Sequence, residues 1–179
     1  MSFDFTYKLG VFGDTGVGKT TLIHRFITDK FELDLGRSMG VNVSAKTIDI
    51  EGFAINLQIW DFVGEQRFKK LLPIYSRGTF GGIFMYDISN KTSLLNLIEW
   101  ISIFHNTPGD NKDSPILIVG SKLDLELESN RKVYLEDVSN LSNSYEIIDI
   151  IECSAKTGEN VEKVFLTLVH EIIARSTYL

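Results

Sequence analysis

The sequence predicts an α/β fold built on a mostly parallel sheet, and three observations carry that expectation. Short apolar runs rich in β-branched and aromatic residues alternate with longer stretches of helical period, the order produced when crossover helices join parallel strands. The runs Tyr7–Phe12, Gly81–Asp87, Pro115–Gly120 and Ile147–Glu152 are nearly all apolar, as strands covered on both faces are. One pair breaks the rhythm. Val41–Ile50 and Phe53–Trp60 are joined only by Glu51-Gly52, too short a link for a crossover, so they are expected to form an antiparallel hairpin.

Taken in order, the first strand leads through a glycine-rich segment into a helical stretch, Thr21–Phe26. In the second hairpin arm Phe53, Ile55, Leu57 and Ile59 alternate with Ala54, Asn56 and Gln58. One face is therefore buried and the other less so, which places this arm toward an edge. Leu94, Leu97, Ile98, Ile101 and Phe104 recur at helical spacing, as do Val161, Val164, Phe165, Leu168, Val169, Ile172 and Ile173. Two amphipathic helices follow from these patterns. The least regular stretches are Glu32–Gly40 and Pro108–Ser114, and no repeat or Pro/Ser-rich linker divides the chain. A single domain spanning residues 1–179 is expected.

Composition narrows the function. The 179 residues carry 18 Lys and Arg against 24 Asp and Glu, a formal net charge of −6. A surface built to neutralise nucleic-acid phosphates needs clustered basic residues, and none are found. With 44% hydrophobic residues the chain can bury a core, so general disorder is excluded. The single cysteine, Cys153, rules out an internal disulfide framework and reads as a small buried hydrophobe at a strand end. His24, His105 and His170 show no metal-binding spacing. No apolar run approaches the ~20 residues that cross a bilayer, and no charged-then-apolar leader opens the chain. The expectation is a cytoplasmic protein.

The chemistry begins at Gly13–Thr20, GDTGVGKT, which satisfies G-x-x-x-x-G-K-[ST] at every fixed position between a strand and a helix. Gly13, Gly16 and Gly18 let the backbone curl so that several N–H groups face one centre, and the helix N-terminus adds partial positive charge. Polyphosphate is thereby held without a basic surface. Lys19 lies across the terminal phosphates, and the Thr20 hydroxyl supplies an oxygen for Mg²⁺. A merely glycine-rich connection would leave Lys19 without a purpose.

Asp61 ends the apolar hairpin arm and Gly64 follows three residues later. Alone, such an Asp-x-x-Gly is commonest as a strand-to-turn transition. Paired with a phosphate loop, the acid can hold Mg²⁺ through water, and Gly64 can bring its N–H against a terminal phosphate because no Cβ intervenes. Two further tetrapeptides stand at strand C-termini, where open α/β sheets bind ligands: Ser121-Lys122-Leu123-Asp124 and Cys153-Ser154-Ala155-Lys156. An ionised Asp124 can accept from two adjacent N–H donors, which guanine presents and adenine does not. The Ala155 N–H can donate to the guanine carbonyl, and the Lys122 stem can cover one face of the base.

These four pieces, together with Trp60–Phe68, WDFVGEQRF, resemble the Ras superfamily of small GTPases, most of all its Rab branch, from Lys8 to about Ile173. The resemblance implies a P-loop NTPase G domain: six strands, one of them in an antiparallel hairpin, flanked by five helices. It implies a monomeric switch that cycles between GTP and GDP with Mg²⁺, hydrolyses GTP, and regulates membrane traffic or signalling. Carried over by position, the nucleotide contacts fall on Gly13, Thr15, Gly16, Val17, Gly18, Lys19, Thr20 and Thr21, on Phe31 and Ser38, on Gly64, on Ser121, Lys122 and Asp124, and on Ser154, Ala155 and Lys156. Mg²⁺ falls to Thr20, Ser38 and Asp61, and catalysis to Glu65, Lys19 and Gly64. Glu32–Gly40 and Gly64–Gly78 become the two switches, read by effector, exchange-factor and activating proteins.

The departures from the family pattern carry their own expectations. Glu65 stands where relatives usually place the glutamine that orients the attacking water, with Gln66 next. Hydrolysis is expected to survive with altered pH dependence, against the reading of Glu65 as a helix-start carboxylate only. Phe62 and Val63 replace a small pair, so slower switching is expected. Ser38 replaces a threonine and keeps its hydroxyl. Ser121 replaces an asparagine, a loss of about 0.5–1.5 kcal/mol in nucleotide binding, so exchange should be faster while guanine preference persists. Thr15 sits where a side chain can crowd a partner's arginine, and Arg37 stands as a candidate arginine supplied from within, against a solvated loop charge. The chain ends Ser176-Thr177-Tyr178-Leu179 without the C-terminal cysteines that anchor Rab relatives. It either works unanchored or lacks a tail. A binding module with negligible hydrolysis is the competing function; a nucleotide kinase would need an Arg-rich lid that the sequence does not offer.

Overall fold

A computed structural model describes residues 3–33, 35, 40–107, 113–128, 130–139 and 145–176. Six strands form one sheet in the order β2-β3-β1-β4-β5-β6: β1 Phe5–Phe12, β2 Val41–Ile50, β3 Phe53–Phe62, β4 Gly81–Asp87, β5 Ile116–Ser121 and β6 Ile147–Glu152. β2 pairs antiparallel with β3, and every other pair is parallel. Among the described residues five α-helices flank it: α1 Lys19–Thr28, α2 Leu72–Tyr75, α3 Lys91–His105, α4 Leu135–Ser139 and α5 Val161–Ser176. The fold class expected from the sequence is the one observed.

The hairpin turn follows from its sequence. Glu51 and Gly52 adopt φ of 54° and 86°, the two left-handed residues that match a two-residue turn to strand twist. β2 takes the edge of the sheet, whereas the alternating arm β3 lies inside it between β2 and β1. Edge placement thus holds for the hairpin but not for the arm whose alternation suggested it. The incomplete cover on one face of β3, where Ala54, Asn56, Gln58 and Trp60 are only half-buried, produces the same pattern as an edge.

Two cores cover the two faces. On one, Leu9, Val11, Ile83, Met85, Leu117 and Val119 meet Leu22 and Phe26 of α1 and Phe165 and Leu168 of α5. On the other, α3 packs Leu97, Trp100, Ile101 and Phe104 against Phe12, Phe84, Tyr86 and Ile118. Here the side chains stack: Phe12 lies 4.6 Å from Phe62, 4.8 Å from Phe84 and 5.2 Å from Phe104, centroid to centroid. Each buried aromatic contributes about 1.5–3 kcal/mol of hydrophobic stabilisation, with a further ~0.5–1.5 for ring geometry. Glycine makes room for them, since a Cβ on Gly10 would stand 2.3 Å from the Phe12 ring.

Several boundaries differ from the sequence reading, for physical reasons. α1 begins at Lys19, two residues before the predicted Thr21, because Gly18 at φ 98° turns the loop into the helix. β5 runs Ile116–Ser121, one residue later than predicted, so Ser121 ends the strand instead of following it. In α3, Ile98 is 42% exposed and the buried set includes Trp100 instead. β6 is not covered on both faces: only Ile151 is fully buried and Asp149 is exposed, as befits the sheet's second edge.

Candidate functional site

At the C-terminal ends of the parallel strands lies a cleft of about 860 Å³, and the segments picked out in the sequence meet there. The loop between β1 and α1 is held open by positive φ at Gly13 (137°), Gly16 (82°) and Gly18 (98°). A Cβ at Gly13 would lie 2.3 Å from the Met85 carbonyl oxygen of β4, so this position admits only glycine. Lys19, the first residue of α1, is 6% exposed. Its Nζ donates to the carbonyls of Gly13 at 2.9 Å and Asp14 at 2.8 Å, which bends the side chain back along the loop. Burial pulls its pKa down to about 8, with Asp61 and Asp14 acting in the opposite sense. A polyphosphate delivered here would meet a cation held ready by two carbonyls.

Thr20 Oγ1 donates to Asp61 Oδ2 at 2.5 Å. Two oxygen donors from distant parts of the chain are therefore adjacent beside the loop, a donor chemistry that suits Mg²⁺. These residues fit such an ion. Ser38, the third expected ligand, and Arg37 lie outside the described residues.

Gly64 presses on the phosphate loop so closely that a Cβ there would stand 2.2 Å from the Asp14 carbonyl carbon and 2.2 Å from the Thr15 nitrogen. Glu65 follows at the cleft wall, and its Oε2 lies 2.6 Å from Arg67 Nε. Phe62 and Val63 are buried. The Phe62 ring, stacked on Phe12, fixes the stretch just ahead of Gly64.

The base end is built by β5 and β6. Asp124 Oδ1 accepts from the Ser154 hydroxyl at 2.5 Å, while Lys156 Nζ stands 3.7 Å from Asp124 Oδ2. The Asp124 side chain is 13% exposed and so faces the cleft from a fixed direction. Lys122, at φ 64°, pairs its Nζ with Asp87 Oδ2 at 2.7 Å, which stretches its stem along the wall. Burial raises the Asp87 pKa, but the hydrogen bonds from Lys122 and Ser89 outweigh it and hold the carboxyl below its ordinary value. Ser121 Oγ lies 2.5 Å from the Val17 carbonyl and 2.9 Å from that of Tyr86. The serine thus ties the base segment to the phosphate loop despite its short side chain. Phe31 and Ala155 line the same cleft. Cys153 is 1% exposed and its thiol is pushed up to about 12, chiefly by burial.

The chain matches the family model described as Ras family over residues 8–174. It belongs to the Ras family. Among its relatives, Ras-related protein Rab-13 of Bos taurus is 36% identical over 98% of this chain and 84% of its own length. Ras-related protein RABE1e of Arabidopsis thaliana is 35% identical over 98% and 78%, and Ras-related protein Rab-19 of Xenopus laevis is 31% identical over 98% and 81%. This Ras-family chain is therefore a Rab-like small GTPase, generally GTP-binding and GTP-hydrolysing. Among the described residues no helix is long and apolar enough to cross a membrane.

Sequence reasoning missed three participants. The Asp14 carboxylate accepts from Asn96 Nδ2 at 2.6 Å and from Trp100 Nε1 at 2.9 Å, both on α3. Lys69, from the 3₁₀ segment Gln66–Leu71, is 4% exposed and reaches Glu99. The available signal was the i, i+4 spacing of two side chains with N–H donors on an otherwise apolar helix face.

Proposed function

We propose that this G domain, spanning residues 1–179, binds GTP and GDP with Mg²⁺ as a monomeric switch for membrane traffic or signalling and hydrolyses GTP to GDP and phosphate. One observation carries the reading: the phosphate loop, the Thr20–Asp61 pair and Asp124, which the buried Ser154 hydroxyl holds from behind, all line one cleft. In this assignment the loop amides of residues 13–18 and the α1 N-terminus bind the phosphates, and Lys19 supplies a charge that moves from loop carbonyls to phosphate oxygens. Thr20 and Asp61, with Ser38, hold the Mg²⁺, which when bound neutralises phosphate charge. Gly64 offers its N–H to the terminal phosphate. Asp124 takes the paired guanine donors, Ala155 the carbonyl, and Lys122 and Phe31 bracket the base. Thr15, Val17, Thr21, Ser121, Ser154 and Lys156 complete the nucleotide shell.

Glu65 orients the attacking water or accepts its proton, a role that requires the carboxylate to leave Arg67 for the terminal phosphate. Effector, exchange-factor and activating proteins read residues 32–40 and 64–78. A second reading, a GTP-holding module with negligible hydrolysis, is favoured by the Glu65–Arg67 contact, which directs the carboxylate to a guanidinium. Extracting the nucleotide from freshly purified protein, identifying it by chromatography and following its conversion with Mg²⁺ separates the two. GDP accumulation supports the switch, persistent GTP supports the holding module, and adenine nucleotide overturns the base assignment.

A further inference from the structure

α3 touches the nucleotide machinery at two places through one indole. Trp100 is 1% exposed, and its Nε1–H donates to the Asp14 carboxylate at 2.9 Å. One turn earlier, Asn96 Nδ2 donates to the other oxygen of the same carboxylate at 2.6 Å. The Asp14 main chain in turn accepts from Lys19 and sits under Gly64. Across the Trp100 ring lies the Lys69 ammonium, 4.8 Å from the ring centroid, and it pairs with Glu99 Oε2 at 2.5 Å. The short segment 64–69, which contains Glu65, is thus pinned at both ends to structures that rest on the same helix face. We propose that Trp100 and Asn96 are positioning residues for GTP hydrolysis: they fix the phosphate loop through Asp14 and, with Lys69 and Glu99, fix the segment that presents Glu65 to the reacting phosphate.

A carboxylate left poorly held at this position is costly. Asp14 stands close to where phosphate charge collects, so its negative charge is tolerable only when both oxygens are directed away by donors. Asn96 and Trp100 supply those donors from a helix that is buried along Leu97, Ile101 and Phe104 and does not depend on nucleotide for its packing. Released from α3, the carboxylate swings toward the phosphates and the Asp14 carbonyl loses its fixed distance from Lys19. Lys69 carries the second half of the anchor. Its ammonium is held by an ion pair and an aromatic face, so the 3₁₀ segment Gln66–Leu71 is registered against the same ring that registers the loop.

This inference rests on the GTPase reading, and its test separates the two. Trp100→Phe keeps a ring for Lys69 while deleting the N–H donor together with some buried ring volume, and Asn96→Leu deletes the other donor from a half-buried position and serves if the first variant folds poorly. Each is expected to speed GDP dissociation about tenfold and to slow single-turnover GTP hydrolysis by a similar factor, the scale of losing a hydrogen bond to a charged group. In an Asp14→Ala background either substitution should add less than twofold, because its acceptor is gone. Lys69→Met should slow hydrolysis more than it speeds GDP release. With Trp60→Phe making Trp100 the sole tryptophan, its emission should differ between GDP and a non-hydrolysable GTP analogue. Unchanged rates in both donor variants, or full effects persisting without Asp14, overturn the proposal. A parent protein that retains GTP unhydrolysed overturns the GTPase reading instead, and the GDP-dissociation arm then judges the anchor alone.

Discussion

Gly64 shows how a single atom governs the site. Its absent Cβ is the space that the Asp14–Thr15 peptide occupies, 2.2 Å away, and real Cβ atoms never approach so near. Gly64→Ala must therefore push either the segment after β3 or the phosphate loop outward. Hydrolysis is expected to fall by at least tenfold in a single-turnover assay, about 1.4 kcal/mol or more of lost positioning. Glu65 poses the opposite question, since its carboxylate is present but engaged by Arg67. Comparing Glu65→Gln and Glu65→Ala with the parent settles its role: a chemical function requires Ala to be slower than the parent, whereas equal rates in all three remove Glu65 from the reaction. Ser121→Ala should release the Val17 carbonyl and raise the GDP dissociation rate several-fold, in keeping with about 0.5–1.5 kcal/mol for one neutral hydrogen bond.

At the scale of elements, an aromatic column joins β1, β3 and β4 to α3 through Phe12, Phe62, Phe84 and Phe104. Phe62 occupies the interior of the Asp-x-x-Gly segment and is 4% exposed, so the strand end that must move in a switch is packed as core. Phe62→Ala should cost about 3–5 kcal/mol of stability, read as a lowered denaturant midpoint. The β4–β5 edge of the cleft adds a pH signature. Asp87 is held below its ordinary carboxyl value of 3.8, so the unfolded chain takes up its proton first on acidification. The stabilisation is complete above about pH 4 and is lost as the pH falls through the lowered folded value. Asp87→Asn should flatten that acid limb of a stability–pH curve while leaving its shape near neutrality unchanged.

The six strands and helices α1, α3 and α5 were legible because apolar runs and helical spacing report burial directly, whereas α2 and α4, of four and five residues, are too short to show a period. The ends were not, because Lys19 joins α1 through the left-handed Gly18, a conformation set by the loop and not by hydrophobic pattern. Ile98 and Trp100 show the same limit in the core. Both fit an apolar stripe, and only the direction of α3 across the sheet buries one and exposes the other. Motif spacing placed the phosphate loop, Asp61, Gly64 and Asp124 at one site. The hold of α3 on Asp14 was hidden, since it joins residues 82 and 86 positions apart that no local pattern connects.

On the scale of the whole molecule, a chain of net charge −6 gathers a polyanion site from backbone dipoles and one buried lysine, so binding should depend weakly on salt and strongly on the metal. Adding EDTA to the GDP-bound protein is expected to speed nucleotide release at least tenfold. It should also lower the melting temperature, because a ligand that binds only the folded state stabilises it by RT ln(1 + [L]/Kd). An unchanged melting temperature would remove Mg²⁺ from the account. The whole fold also separates its tasks along the sheet: the cleft opens at one end of the strands, and the β2–β3 turn closes the other.

That turn holds an unused reserve. Glu51 adopts φ 54° with an exposed side chain, at a cost of about 1 kcal/mol that asparagine or glycine largely avoids. Glu51→Asn should recover part of this without touching the nucleotide, and so give engineered versions of the protein the tolerance to carry destabilising changes in the switch segment.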